Sequence, residues 1–166
     1  MQEPLFRHEQ QGISSNDYYT PAWIFEKMGL QFDLDVASPP GGISWIPAKR
    51  YFTQFDDGLS QEWLGRVWMN PPFKRLTPWV EKFIQHGNGV ALLPLEKGKY
   101  TDLIVNAVDA HVILPAHIKF ETQFREHGGI RPVCLLHAIG QENVEAIAKV
   151  GRLYKPSDTP PSQETR

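Results

Sequence analysis

Val67-Trp68-Met69-Asn70-Pro71-Pro72-Phe73 is the stretch on which the reading of this chain turns. Three apolar residues form a short strand, and the two prolines that follow remove the N–H groups any continuing ladder would need. Four residues on, Thr77-Pro78 and then Trp79, Val80, Phe83 and Ile84 fall at helical spacing and stop at Gly87, so a helix over 78–86 follows the strand directly. Working outward, the same pattern of short apolar runs separated by helical stretches recurs. Strands are expected over 32–36, 67–69, 89–95, 111–114 and 133–139, with helices over 21–28, 78–86, about 100–108 and 142–150. The first helix is expected to open on Thr20 as N-cap with Pro21 at its first position, and to close at Gly29. Strands alternating with helices predict an α/β fold, a largely parallel sheet covered on both faces. In such sheets ligands sit beyond the carboxyl ends of the strands, which singles out Asp35 and Asn70, each at a strand end.

The tip after 67–69 has a definite chemistry. Two prolines stiffen the backbone and leave carbonyls without neighbouring N–H partners, Asn70 adds an amide oxygen, and Phe73 adds a flat apolar face. Such a tip can accept two hydrogen bonds from an –NH2 group and stack on the ring that bears it, a description met by the exocyclic amine of a nucleobase. A plain Pro-rich turn would use the same residues, so the tip alone does not separate chemistry from architecture.

Length and composition bound the rest. A chain of 166 residues with 41% hydrophobic content makes one domain and needs no disulfide or metal to fold. The lone Cys134 can form no internal bridge, and six histidines show no metal-ligand spacing. No apolar run reaches the ~20 residues that span a bilayer, and no signal-like stretch opens the sequence, so a soluble, cytoplasmic protein is expected. Residues 1–15 and 156–166, polar or rich in Pro, Ser and Thr, are expected to be flexible tails flanking a single domain over 16–155.

A net charge of -2 argues against a protein held to nucleic acid by bulk positive charge, yet the charge is uneven. Residues 1–57 sum to -4 and residues 58–155 to +3. Lys74, Arg75, Lys97, Lys99, Lys119, Arg125 and Arg131 can therefore gather on one positive face, or simply be solvated separately.

Several segments, taken together and in order, make the chain similar to the amino-group DNA methyltransferases, and more specifically to the phage-type Dam-like DNA N6-adenine methyltransferases. They are Asp17-Tyr18-Tyr19-Thr20-Pro21-Ala22-Trp23, Phe32-Asp33-Leu34-Asp35-Val36-Ala37-Ser38, Arg50-Tyr51-Phe52-Thr53, Asp57-Gly58-Leu59-Ser60-Gln61-Glu62-Trp63, the 67–73 stretch and Trp79-Val80-Glu81-Lys82. This resemblance spans about residues 16–139. It implies a compact Rossmann-like fold, S-adenosylmethionine as cofactor, DNA as partner, no metal, and methyl transfer to N6 of a flipped adenine. Asn70, Pro71, Pro72 and Phe73 would be the catalytic tip; Tyr19, Thr20, Pro21, Asp35, Ala37 and Asp57 would hold the cofactor; Lys74, Arg75, Lys119, Arg125 and Arg131 would meet DNA. Thr20-Pro21 matches the pair that holds the methionine carboxylate, Asp35 the acid near its ammonium, and Asp57 the acid at the adenine amine, with Asp56 as a competing candidate.

Three departures from the family pattern stand out. The segment after Asp35 reads Val-Ala-Ser-Pro-Pro-Gly-Gly in place of a Gly-x-Gly turn. Nothing acidic lies between Ser38 and Lys49 to meet the ribose. His117-Ile118-Lys119-Phe120 stands where relatives have Arg-x-x-Phe, with Lys119 supplying the charge. Cytosine N4, a protein glutamine amide, and a non-catalytic nucleic-acid-binding module on the same fold are the alternatives to adenine. Cys134 is expected to be a core thiol, most tryptophans core, and Trp45 an exposed ring in a Gly/Pro loop able to meet a base. Base readout is expected from loops at 41–49 or 119–131, and a monomer is slightly favoured.

Overall fold

The computed structural model describes residues 19–115, 118 and 132–156. Among them the order is α1 (Ala22–Met28), β1 (Phe32–Asp35), β2 (Ala48–Tyr51), β3 (Val67–Met69), α2 (Leu76–His86), β4 (Gly89–Pro94), α3 (Lys99–Ala107), β5 (Ala110–Ile113), β6 (Cys134–Ile139), α4 (Gln141–Ala148) and β7 (Leu153–Tyr154). The strands form one sheet in the order β2-β1-β3-β4-β6-β5-β7.

Alternation along the central strands assigns the two faces. Val90 and Leu92 of β4 join Phe32, Trp68, Leu136 and the apolar sides of α1 and α4 in one core. Ala91 and Leu93 join Leu34, Val67, Met69 and the apolar sides of α2 and α3 in the other. Helices therefore cover both faces, as the α/β reading requires. Gly29 and Gly87 end α1 and α2 in the left-handed conformation, with φ of 64° and 76°.

The largely parallel sheet expected from sequence holds for only half of the pairings. β2, β1, β3 and β4 run parallel, whereas β6 is antiparallel to both β4 and β5, and β7 is antiparallel to β5. A strand buried on both faces reads as a continuous apolar run whichever way it points, so 133–139 carried no sign of its direction. β2 and β7 went unforeseen. β2 is an edge strand, half-buried at Ala48 and exposed from Lys49 to Tyr51, and it is reached from β1 by a loop with no helix.

Both helix starts also differ from expectation. Pro21 takes the N-cap place of α1, and no side chain caps it. Helix α2 begins at Leu76, two residues before Pro78, with Arg75 as N-cap. Pro78 is accommodated because N–H groups of a first turn have no intrahelical acceptor to lose.

What positions the site is the switch in strand order. From β1 the chain goes to β2 on one side and then crosses to β3 on the other. The connections leave the carboxyl ends of β1 and β3 in opposite directions, and a crevice opens between them.

Candidate active site

Asp35 is the last residue of β1 and Asn70 the first after β3, so the two line opposite walls of this crevice. A hollow of about 260 Å3 lies there, bounded by Asp35, Ser38, Asp57, Asn70, Pro72 and Trp79. A second hollow of about 490 Å3 shares Tyr19, Asp35 and Ser38 with it and extends over Trp45 and Tyr51.

Asp35 is 3% exposed, and none of the ion pairs among the described residues involves it. Its Oδ1 accepts the Ala37 N–H at 3.2 Å. Burial pushes the carboxyl up to about 7, against the opposing pull of that N–H. A carboxylate so placed is matched to a cationic ligand group, whose arrival would restore its ionised form.

Thr20 is buried, at 1% exposure, and lines neither hollow. Its hydroxyl receives the Asn70 Nδ2–H at 3.4 Å in place of capping a helix, and its carbonyl receives the Trp45 Nε1–H at 2.8 Å. The segment before α1 thus orients the amide of the tip. Trp45, expected to be exposed, is instead half-buried and tied down by that bond.

The two neighbouring acids separate cleanly. Asp56 Oδ2 accepts the Thr53 N–H and Oγ1–H, both at 2.8 Å, which closes a tight turn and holds the carboxyl below its usual range. Asp57 is exposed, with a positive φ of 53°, and lines the hollow. Both follow β2. The second strand ends at Tyr51, and the first carboxylates after it are these two.

Within the tip, Pro72 lines the hollow, whereas buried Pro71 and Phe73, half-buried against both cores, do not. Pro21 and Ala37 flank Thr20 and Asp35, and Ala37 lines the hollow. Lys74 and Arg75, which follow the tip in sequence, are exposed. Lys119, Arg125 and Arg131, with His117 and Phe120, lie outside the described residues. Trp68 and Trp79, read from sequence as core, also line the hollow. Trp68 Nε1 is a buried donor with no acceptor among the described residues. No signal in the sequence distinguishes such a wall residue from an interior one. Cys134 is buried, and burial pushes its thiol up to about 12, which removes it as a nucleophile. The described residues contain no cluster of metal-ligating side chains, and no described helix is long and apolar enough to cross a membrane.

The family model for DNA N-6-adenine-methyltransferase (Dam) matches residues 11–111, more than half of the chain. The chain belongs to the Dam family. The Dam match takes in α1, the three strands that frame the crevice, and the loop that carries Asp57. It ends at the start of β5, so β6, α4 and β7 lie beyond it. Dam membership indicates a DNA methyltransferase. No curated protein and no solved structure matches the chain.

Proposed function

We propose that the protein transfers a methyl group from S-adenosylmethionine to the exocyclic N6 of an adenine swung out of DNA. The observation that carries the reading is the shared hollow: a buried acid, an exposed acid and the Asn-Pro-Pro tip meet at the carboxyl ends of β1, β2 and β3. The β2-β1-β3-β4 order with helices on both faces supports a Rossmann-like methyltransferase core within 16–155.

The hollow suits this cofactor chemically. Asp35 is a buried carboxylate awaiting a cation, which the methionine ammonium supplies. Asp57 lines the same hollow, where it would accept from a ribose hydroxyl or from the adenine amine. Trp68 Nε1 would offer a donor to a carboxylate, and Thr20 would act from behind the wall of the hollow through its bond with Asn70. When bound, the cofactor supplies an electrophilic methyl on a sulfonium. Everything else falls to the chain's own residues. A paired, stacked adenine cannot reach a rigid tip, so the base must leave the duplex. Asn70 and the Pro71 carbonyl would then accept the two N6 hydrogens, drawing the nitrogen lone pair out of conjugation with the ring. Phe73 would hold the ring face, and the proton lost from nitrogen would pass to solvent. Catalysis would come from positioning and from acceptors set to meet positive charge developing on nitrogen. Lys74 and Arg75 would lie against phosphate.

The test is transfer of labelled methyl to unmethylated DNA followed by nucleoside analysis. Label is expected in N6-methyladenine, and Asn70→Ala is expected to lower the rate by roughly 10²-fold or more, the usual cost of one acceptor or donor at a charge-developing centre. Label in N4-methylcytosine or in protein would overturn the adenine assignment.

A further inference from the structure

Helix α2 begins six residues after Asn70 and carries Trp79 and Lys82, which lie one turn apart and so share a face. That face meets the 57–63 loop. Lys82 Nζ donates to the Leu59 carbonyl at 2.7 Å and to the Gln61 carbonyl, and lies 5.1 Å from the centroid of the Trp63 ring. Trp63 is 5% exposed, stacks on Trp79 with centroids 6.2 Å apart, and donates its Nε1–H to the Gly58 carbonyl at 2.7 Å. Gly58 is pressed against the residue that follows β1: a Cβ there would stand 2.2 Å from the Val36 carbonyl oxygen. Trp79 in turn lines the hollow.

An ammonium bonded to two backbone carbonyls of one loop and resting on an aromatic ring is a clamp, not a solvated surface charge. Ordinary helix lysines point to water; this one is drawn inward, although its own helix has no need of it. The loop it grips has no strand or helix of its own, and starts at Asp57, whose positive φ is costly for a residue with a Cβ unless its surroundings enforce it. The same helix therefore follows the Asn-Pro-Pro tip at its start and grips the loop that begins at the acid lining the hollow.

We propose that Lys82 is a positioning residue, which through Leu59, Gln61 and Trp63 holds Asp57 at the distance from Asn70 that the nucleoside part of the cofactor requires. This rests on the reading of the hollow as the cofactor site. Lys82 touches no reacting atom. Its loss should weaken nucleoside binding while leaving the chemistry of correctly bound molecules intact.

The experiment measures S-adenosylhomocysteine binding by calorimetry for the unaltered protein, Lys82→Met, Lys82→Arg, Asp57→Asn and the Lys82→Met/Asp57→Asn pair, with cofactor KM and kcat for each single variant. Lys82→Met keeps the stem over Trp63 and removes only the donor. It is expected to raise Kd and KM about ten-fold, the loss of one charge-assisted contact, with kcat within about two-fold. Lys82→Arg should stay within about three-fold of the unaltered protein, since a guanidinium can reach the same carbonyls. In the double variant the Lys82 effect should vanish, because its route runs through Asp57. Unchanged Kd in Lys82→Met, additive losses in the double variant, or a fall in kcat without a rise in KM would each overturn the assignment, the last two being what a general structural role produces. If Lys82→Met does not fold, Lys82→Gln is read against the same expectations. Absence of binding by the unaltered protein would overturn the methyltransferase reading and this assignment with it, an outcome distinct from all the others.

Discussion

Asp35 couples stability to function through one proton. Its carboxyl, raised to about 7 by burial, keeps a proton in the folded chain at pH values where the unfolded chain has already released it. The folded state therefore binds more protons between about pH 4 and 7, and this residue's contribution grows more unfavourable to folding as pH rises through that window. Asp35→Asn should be more stable than the unaltered protein at pH 8 by roughly 2–4 kcal/mol, with the difference shrinking towards pH 4; urea unfolding at the two pH values measures it. The same variant should lose cofactor binding, and affinity in the unaltered protein should weaken as pH falls below about 7. A stabilised Asp35→Asn that still binds the cofactor would remove the ammonium role. Phe73 poses the opposite problem, since it packs against both cores while proposed to face the base. Phe73→Leu keeps the packing and loses the flat face, so methyl transfer should fall about ten-fold or more with little change in Tm, the scale of one lost base stack. Equal activity would show that Phe73 serves the core alone.

At the scale of elements, the two ends of the sheet have different jobs. The carboxyl end carries the hollow. The amino end carries a polar lock in which Arg66, just before β3, donates its Nε–H to Asn143 Oδ1 at 2.7 Å, pairs with Glu142, and offers its backbone N–H to Asp33 Oδ2 at 2.8 Å. Asn143 passes the link on to Asn88 at 2.9 Å. This ties α4 to the starts of β3 and β4. Arg66→Leu strands the buried Asn143 without its donor and should cost about 1–3 kcal/mol, while S-adenosylhomocysteine affinity stays unchanged. A binding loss equal to the stability loss would contradict the separation of the two ends. Elements buried on both faces or bounded by glycine and proline were legible in sequence: β3 was expected at the limits it has, and β4 and α3 to within a residue. β2 was not legible, because an exposed edge strand has no apolar run and its approach from β1 has no helix to announce it.

For the whole molecule, the net charge of -2 is an average over unlike regions. Three of the acids in the front part, Asp35, Asp56 and Asp57, lie at or beside the hollow, where they would face a cationic cofactor. Lys74 and Arg75 stand exposed just after the tip in sequence, where a base arriving at Asn70 would bring its phosphates. DNA binding should therefore be modest and salt-sensitive. Lys74→Ala/Arg75→Ala should reduce the slope of log K against log salt by about two, one phosphate for each cation. An unchanged slope would place the phosphate contacts elsewhere.

The sequence by itself determined the α/β class, the two-faced core, the Asn-Pro-Pro tip and the candidate Asp35, because each is written in local chemistry: apolar period, proline punctuation, an acid at a strand end; Thr20 and Asp57 became cofactor candidates through the family resemblance. Tertiary structure alone decided the reversed strand β6, the choice of Asp57 over Asp56 for the hollow, the turning of Thr20 from helix cap to partner of Asn70, and the grip of Lys82 on carbonyls 21 and 23 residues before it. Those depend on which groups meet across the fold. A carboxylate closing a turn and one facing a hollow have the same neighbours along the chain, and only the arrangement of β1, β2, β3 and α2 around the crevice tells them apart.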